Sequence, residues 1–319
     1  MTDFARTRAW TKRRVDDGPL PVAVLGVASS RGIEHLEAFG GADVDDAFAL
    51  FSITKPLVAL ATARIVENGL LGLRRPLTSA VPGFGVDREE PVRLHHLLSH
   101  TAGIVDPALD DTAPLDATLA NAGMLFEAGT HVQYSNIAFE GVAALVRDAT
   151  GRPLQDQVEA LAPGLTFDTS AARHEVVDGA LIGFDMHRMA PQRHPAAGAH
   201  GTAGALLDIA SSLLAADGRI VAPSTLEGML QPRTVGLPEF ERGTQRRDFG
   251  LGWHLREYSA GLLDRRAFGH AGLSGTEWWI YPERDLALVM LTNLIDAPGH
   301  GVDADELNNA FVRDVDPLD

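Results

Sequence analysis

The 319-residue sequence contains no cysteine. Without thiols the chain cannot form disulfides, hold zinc or an iron–sulfur cluster through cysteine, or use a thiol as a nucleophile. Lysine is nearly absent too, since only Lys12 and Lys55 occur among 27 basic residues. Any covalent catalysis must therefore use another nucleophile, and the position of each lysine is informative.

Positive charge is scarce relative to negative charge. The 27 Lys and Arg residues face 43 Asp and Glu residues, which gives a formal net charge of −16 at pH 7. This excess argues against nucleic acid as a partner. With 45% hydrophobic and 22% charged residues, the composition is typical of a globular chain with a sizeable core, and the length suggests about two domains.

Long apolar runs are also missing. No stretch reaches the ~18 to 20 consecutive apolar residues of a membrane-spanning helix, so we expect no membrane partner. The basic run 12–14 ahead of the apolar residues 19–28 resembles a secretion signal, but Asp16 and Asp17 interrupt it. Because the apolar run continues through a turn into a second strand, its removal would destroy a hairpin. We expect a cytoplasmic protein, with export as the alternative.

The hydrophobic periodicity predicts an α+β fold with an antiparallel sheet flanked by helices. Residues 4–16 form a candidate helix, and the remaining candidate helices lie at 55–68, 136–150 and 202–216. The candidate strands lie at 22–29, 33–39, 275–281 and 286–292. We therefore predict a sheet domain from residues 1–50 and 205–319, an inserted mostly helical domain at 51–204, and an active site at their interface. Residues 239–248 are predicted to be an exposed loop, and 314–319 a solvated tail.

Several common motifs are missing. The phosphate-binding G-x-x-x-x-G-K-[ST] loop, a G-x-G-x-x-G after a strand and the G-x-S-x-G nucleophile elbow are all absent from the sequence. His95, His96 and His100 suggest a metal site, but two histidines on one helical face are too few ligands. We expect their rings to bond nearby backbone, and we expect neither a metal nor a cofactor.

The segment Ser52-Ile53-Thr54-Lys55 has the S-x-x-K spacing just ahead of an apolar helical run. On a helix, residues i and i+3 share a face, so the amine of Lys55 can reach the hydroxyl of Ser52. A serine needs a base to become a nucleophile, and an ordinary lysine with a pKa of ~10.4 is protonated. Burial and the positive end of a helix can lower that pKa toward ~7. The alternative is an exposed lysine at a polar helix start.

Two further segments strengthen the catalytic interpretation. Tyr134-Ser135-Asn136 precedes a helix about eighty residues later and offers a phenol and an amide. His270-Ala271-Gly272 precedes a strand, where glycine lets backbone N–H groups approach a bound carbonyl closely.

These motifs together resemble the serine β-lactamase and penicillin-binding protein superfamily, in particular its class C-like branch. That branch contains family VIII-type esterases, D-aminopeptidases, D,D-peptidases and acyltransferases. The resemblance covers residues ~20 to ~295. It includes four further segments: Leu97-Leu98-Ser99-His100-Thr101-Ala102-Gly103, Phe126-Glu127-Ala128-Gly129, Gly250-Leu251-Gly252-Trp253, and Pro282-Glu283 with Leu291-Thr292-Asn293.

The resemblance implies a β-lactamase/transpeptidase-like fold and a role for each motif residue. Ser52 is then the acylated nucleophile, and Lys55 with Tyr134 exchanges its proton. The implied substrate-binding residues are Asn136, which holds Lys55 and a substrate carbonyl, His270 on the opposite wall, and Gly272 and Leu273. The backbone N–H groups of Ser52 and Leu273 form the implied oxyanion hole.

The sequence also departs from the lactamase pattern. His-Ala-Gly replaces the Lys-Thr-Gly typical of lactamases, so a cation that pairs with a substrate carboxylate is lost. We therefore expect a serine hydrolase acting on a small-molecule ester. An acyltransferase, an amidase or D-peptidase, a β-lactamase and a non-catalytic ligand-binding homologue remain alternatives, in that order. Residues 166–200 show little family pattern, so the substrate stays open, as does the oligomeric state.

Overall fold

The structure is a computed structural model that describes residues 3–241, 248–256 and 264–316. Within these residues, seven strands form an antiparallel sheet, and three short strands form a second sheet. In chain order the strands are β1 (Ala23–Ser29), β2 (Gly32–Phe39), β3 (Phe48–Ala49), β4 (Leu165–Thr166), β5 (His200–Gly201), β6 (Asp248–Phe249), β7 (His254–Leu255), β8 (Phe268–Ala271), β9 (Glu277–Tyr281) and β10 (Leu286–Leu291). The large sheet has the order β2-β1-β10-β9-β8-β7-β6, and the small one the order β3-β5-β4.

Helices surround the large sheet. The α-helices are α1 (Ala5–Asp16), α2 (Thr54–Glu67), α3 (Leu94–Leu98), α4 (Leu115–Ala120), α5 (Ala138–Thr150), α6 (Leu154–Glu159), α7 (Met186–Met189), α8 (Ala203–Ala215), α9 (Pro223–Met229) and α10 (Ala304–Val315). The 3-10 helices of the described ranges are Phe51–Ile53, Leu77–Ser79, Thr169–Ala171, Gly179–Ile182, Ala190–Gln192 and Pro282–Arg284. None of the described helices combines the length and apolar character needed to cross a bilayer.

Helices cover both faces of the large sheet, and alternate side chains of a strand point to opposite faces. Trp278 and Val289 join a large apolar cluster shared with α2, α5 and α8. Trp279 and Leu288 instead join a second cluster that α1 and α10 cover. Burial on both faces explains why β1 and β10 read as nearly continuous apolar runs rather than as an alternation.

The predicted fold class is confirmed. The four strands and four helices expected from periodicity are all present, with ends that differ from the prediction by at most two residues. The proposed boundaries of the inserted domain, at residues 50/51 and 204/205, stay a prediction. Of the predicted exposed loop at 239–248, residues 242–247 lie outside the described residues.

The predicted solvated tail is wrong for its first residues. The helix α10 continues to Val315, and residues 317–319 lie outside the described residues. The Asp314 carboxylate accepts hydrogen bonds from the backbone N–H and the hydroxyl of Thr7 at 2.9 and 2.7 Å. Leu307 and Phe311, four residues apart, bury the inner face of α10. Asp314 thus caps α1, a partner 307 residues away that composition does not indicate.

The turn between β6 and β7 lies directly on α2, and Gly252 makes this contact possible. Its φ is +77°, and a Cβ there would stand 2.2 Å from Ala59 Cβ and 3.2 Å from Lys55 O. We predict that Gly252→Ala lowers the free energy of unfolding by about 3 kcal/mol, the sum of backbone strain and overpacking. Urea denaturation measures the loss.

Gly41→Ala is the matched control. Gly41 has a similar φ of +87°, but no other part of the chain lies within 4 Å of the point where a Cβ would stand. The control should lose only about 1 kcal/mol, from backbone strain alone. Equal losses in the two variants would show that contact with α2 is not what requires glycine at position 252.

Candidate active site

Ser52 lies in the 3-10 turn Phe51–Ile53, which runs directly into α2. Phe51 has a φ of 44°, in the left-handed region that non-glycine residues seldom adopt. Its ring is fully buried and meets Phe184 edge-on, with ring centroids 5.6 Å apart. Packing around Phe51 therefore holds the strained turn that presents Ser52.

The side chain of Lys55 is fully buried in the first turn of α2. Its Nζ lies 3.1 Å from Ser52 Oγ and donates to Asn136 Oδ1 at 2.8 Å and to Ala196 O at 3.2 Å. Burial lowers the pKa of Lys55 to about 7, and the negative charge of Asp106 partly opposes this effect. An amine with this pKa is available as a base near neutral pH.

Tyr134 contacts the same serine as Lys55. Its hydroxyl donates to Ser52 Oγ at 2.8 Å, and Lys55 Nζ lies 4.5 Å from the centre of its ring. The three side chains to which the sequence assigned catalysis therefore meet at one oxygen atom. Ser52 Oγ therefore has two hydrogen-bonding neighbours that can exchange a proton with it.

The facing wall comes from β8 and the turn that follows it. The His270 ring is buried, and its centroid lies 6.1 Å from that of Tyr134. A Cβ on Gly272 would stand 2.5 Å from Leu50 O, so only glycine allows the turn to approach the segment that leads into Ser52. Gly272 N donates to Thr276 O at 2.7 Å, which closes the turn.

A cavity of about 810 Å³ adjoins these groups. Its lining includes the predicted residues Ser52, Tyr134, His270, Gly272 and Leu273. The structure therefore brings the predicted site residues together around one cavity, with Lys55 and Asn136 beneath Ser52.

Comparison with known proteins identifies the family. The model of the Beta-lactamase family matches residues 7–310. The chain belongs to the Beta-lactamase family. This match confirms the superfamily that the Ser-x-x-Lys, Tyr-x-Asn and His-x-Gly motifs indicated.

Several known proteins are similar to this chain along most of its length. Esterase EstB of Burkholderia gladioli is 29% identical over 329 residues, which span 83% of this chain and 81% of the esterase. The solved structure of EstCE1, described as a hydrolase with promiscuous acyltransferase activity, has a TM-score of 0.75 at 21% identity and covers 96% of this chain and 97% of its own. A family VIII carboxylesterase has a TM-score of 0.76 at 19% identity and covers 98% of each chain. Both structures share the fold of this β-lactamase-family chain.

His194, which was not identified from the sequence, holds the backbone segment that accepts a hydrogen bond from Lys55. His194 is buried, and burial together with the charge of Lys55 lowers its pKa to about 3, so its ring is neutral. Its Nδ1 accepts from Ala196 N at 3.0 Å, and Ala196 O in turn accepts from Lys55. No local pattern could have revealed this loop, because 141 residues separate Ala196 from Lys55.

The three histidines considered as metal ligands bond to backbone or lie next to it. His95 Nδ1 is 2.8 Å from Leu73 O, His96 Nδ1 accepts from Arg93 N, and His100 Nδ1 accepts from Ser135 N at 3.1 Å. The His100 ring also stacks on Tyr134 with centroids 4.5 Å apart. Within the described ranges, no three His, Asp or Glu side chains are placed to hold a metal ion.

The scarcity of lysine allows a direct test of the Lys55 pKa. In protein labelled with ¹³Cε-lysine, NMR titration should give two signals, since only Lys12 and Lys55 are present. We expect one midpoint near pH 7 for Lys55, because burial disfavours its ammonium. The other should lie above the ordinary lysine value, because Asp16 hydrogen-bonds the ammonium of Lys12. Lys12→Arg assigns the signals, and a Lys55 midpoint near ~10.4 would contradict the prediction.

Proposed function

We propose that the protein is a serine hydrolase that cleaves a small carboxylic ester through an acyl-enzyme on Ser52. The observation that carries this proposal is the environment of Ser52 Oγ, which lies 2.8 Å from the Tyr134 hydroxyl and 3.1 Å from the Lys55 amine. A lysine with a pKa of about 7 can accept the serine proton at neutral pH.

The reaction proceeds in two balanced steps. Neutral Lys55 accepts the hydroxyl proton of Ser52 while Oγ attacks the ester carbonyl, and the backbone N–H groups of Ser52 and Leu273 stabilise the oxyanion. The proton then passes, through Tyr134, to the alcohol oxygen as the ester bond breaks. Water attacks the resulting acyl-serine and gives one proton to the same base. That proton returns to Ser52 Oγ as its bond to the acyl carbon breaks, which releases the carboxylic acid and restores the neutral amine of Lys55.

The charges around the cavity support a substrate without a carboxylate. Its described lining residues include one guanidinium, that of Arg256, and five carboxyl groups. Burial raises the pKa of Glu277 to about 7, so this carboxyl group is only partly ionised at neutral pH. A carboxylate-bearing substrate, such as a β-lactam or a peptide C-terminus, would enter an unfavourable field there. The carboxyl groups belong to Asp248, Glu277, Asp296, Asp303 and Asp305. The similarity to esterase EstB also favours an ester.

The first test is covalent labelling of the serine. A fluorophosphonate probe should add once to the wild-type protein and not to Ser52→Ala, as read from intact mass. Ser212→Ala is the control, since Ser212 lies in α8 and bonds Asp217 away from the cavity. Labelling of Ser52→Ala at the wild-type rate would refute the assignment of the nucleophile.

Acyl transfer is the second candidate, because the structural neighbour EstCE1 is described as a hydrolase with acyltransferase activity. If the protein is a hydrolase, an added alcohol or amine should divert the acyl group no more than its concentration relative to water predicts. Product analysis with a p-nitrophenyl ester and increasing alcohol measures this partition. Transfer far above that proportion would show that a second acyl acceptor, not water, is the natural nucleophile.

A further inference from the structure

Asp106 lies in the loop before α4 and reaches the turn between Tyr134 and α5. Its carboxylate accepts from Asn136 N at 2.8 Å, from Ile137 N at 2.7 Å and from Ser135 Oγ at 3.1 Å. These backbone N–H groups belong to Ile137, the N-cap of α5, and to the residue before it, where no intrahelical acceptor exists. Burial raises the pKa of Asp106, and the hydrogen bonds from Asn136 N, Ile137 N and Ser135 Oγ oppose this effect. All these partners are donors, so the ionised, acceptor-only carboxylate is the form that fits.

The turn that Asp106 holds carries the two residues that contact the reacting pair. Tyr134 donates to Ser52 Oγ, and Asn136 accepts from Lys55 Nζ. A single carboxylate from a loop 30 residues earlier therefore fixes both side chains. Its negative charge also acts on the lysine itself.

The described groups that face Lys55 come from four segments. They are Ser52 from the 3-10 turn, Tyr134 and Asn136 from the turn before α5, His194 from the segment before β5, and Asp106. His194 is neutral near pH 7, because burial lowers its pKa to about 3. Among these described groups, Asp106 is the one that carries a negative charge opposite the lysine.

We propose that Asp106 is a positioning residue, whose carboxylate holds Tyr134 and Asn136 around Ser52 and stabilises the ammonium that forms when Lys55 takes the serine proton. This inference rests on the proposed function. Asp106 contributes to the site in two ways, through the shape of the turn before α5 and through its charge near the Lys55 amine. Substitutions at position 106 can distinguish the two.

Asp106→Asn retains the size and one acceptor oxygen but removes the charge. We expect the rate of Ser52 phosphonylation and kcat/KM for a p-nitrophenyl ester to fall by roughly tenfold or more at the plateau. We also expect the acid limb of both pH profiles to move to lower pH, because the lysine ammonium loses its counter-charge and gives up its proton more readily. Profiles are measured from about pH 5 to about pH 9.

Two further variants make the comparison specific. Asp106→Glu keeps the charge, so its acid limb should stay near that of the wild type even where its rate falls. Asp110→Asn is the matched control, because Asp110 is buried in the same loop but accepts from Asp185 N instead. Its rate and pH profile should equal those of the wild type.

If Asp106→Asn lowers the rates but does not move the acid limb of the pH profiles, the electrostatic role is wrong. Asp106 would then only cap the turn before α5. Thermal unfolding shows whether this variant folds. If it does not, Asp106→Glu decides, and an acid limb displaced from the wild type would overturn the proposal.

The ¹³Cε titration of Lys55 repeats the comparison without turnover, with a lower midpoint expected in Asp106→Asn. The two proposals can therefore fail separately. A wild-type protein without labelling of Ser52 would refute the hydrolase, whereas an unchanged Lys55 midpoint in Asp106→Asn would refute only the role of Asp106.

Discussion

The removal of the Lys55 amine from water is the constraint on which the rest of the site depends. Burial places the pKa of Lys55 near 7 in the folded protein, below the ordinary value of ~10.4 that applies when the chain is unfolded. Between these two values the unfolded chain binds more protons, so this group makes stability rise with pH. Below about pH 7 the folded protein bears the full penalty of a buried ammonium. A usable base is thus obtained at the expense of stability.

Backbone contacts that tolerate no side chain make this burial possible. Gly252 brings the β6–β7 turn onto the carbonyl of Lys55, and Gly272 brings the turn after β8 against Leu50. Phe51, held by an apolar cluster that also includes Leu273, fixes the strained turn between them. Two turns of the large sheet therefore pack against the backbone on either side of Ser52, at Leu50 and at Lys55. Ser52 itself lines the cavity.

The Ser52–Lys55 pair and the main strands could be predicted from the sequence, because they depend on residues that are close together in the chain. Ser52 and Lys55 are three residues apart, so helical geometry alone brings their side chains together. The strands β1, β2, β9 and β10 could be predicted because each is an apolar, strand-favouring run within its own segment. Tyr134, Asn136 and His270 are distant in sequence, and they were found because the family motifs recur in a fixed order. Resemblance supplied what local geometry could not.

The supporting groups escaped prediction because nothing near them in the sequence marks their partners. Asp106 caps a helix 30 residues away, and Ala196 meets Lys55 across 141 residues. Residues 166–200 showed little family pattern, yet their end supplies both His194 and the carbonyl of Ala196. The same holds for Asp314, which composition assigned to a solvated tail although it caps α1.

Two opposing effects set the base strength of Lys55, and the proposed chemistry needs both. Burial alone would favour the neutral amine but would weaken it as a proton acceptor, because a base of lower pKa gains less from taking the proton. The carboxylate of Asp106 counters this loss by stabilising the ammonium, and its charge is itself held by donors from the turn before α5. That turn carries Tyr134 and Asn136, so the strength of the base and the placement of its partners depend on the same carboxylate. A change at this loop therefore alters the geometry and the proton affinity of the site together.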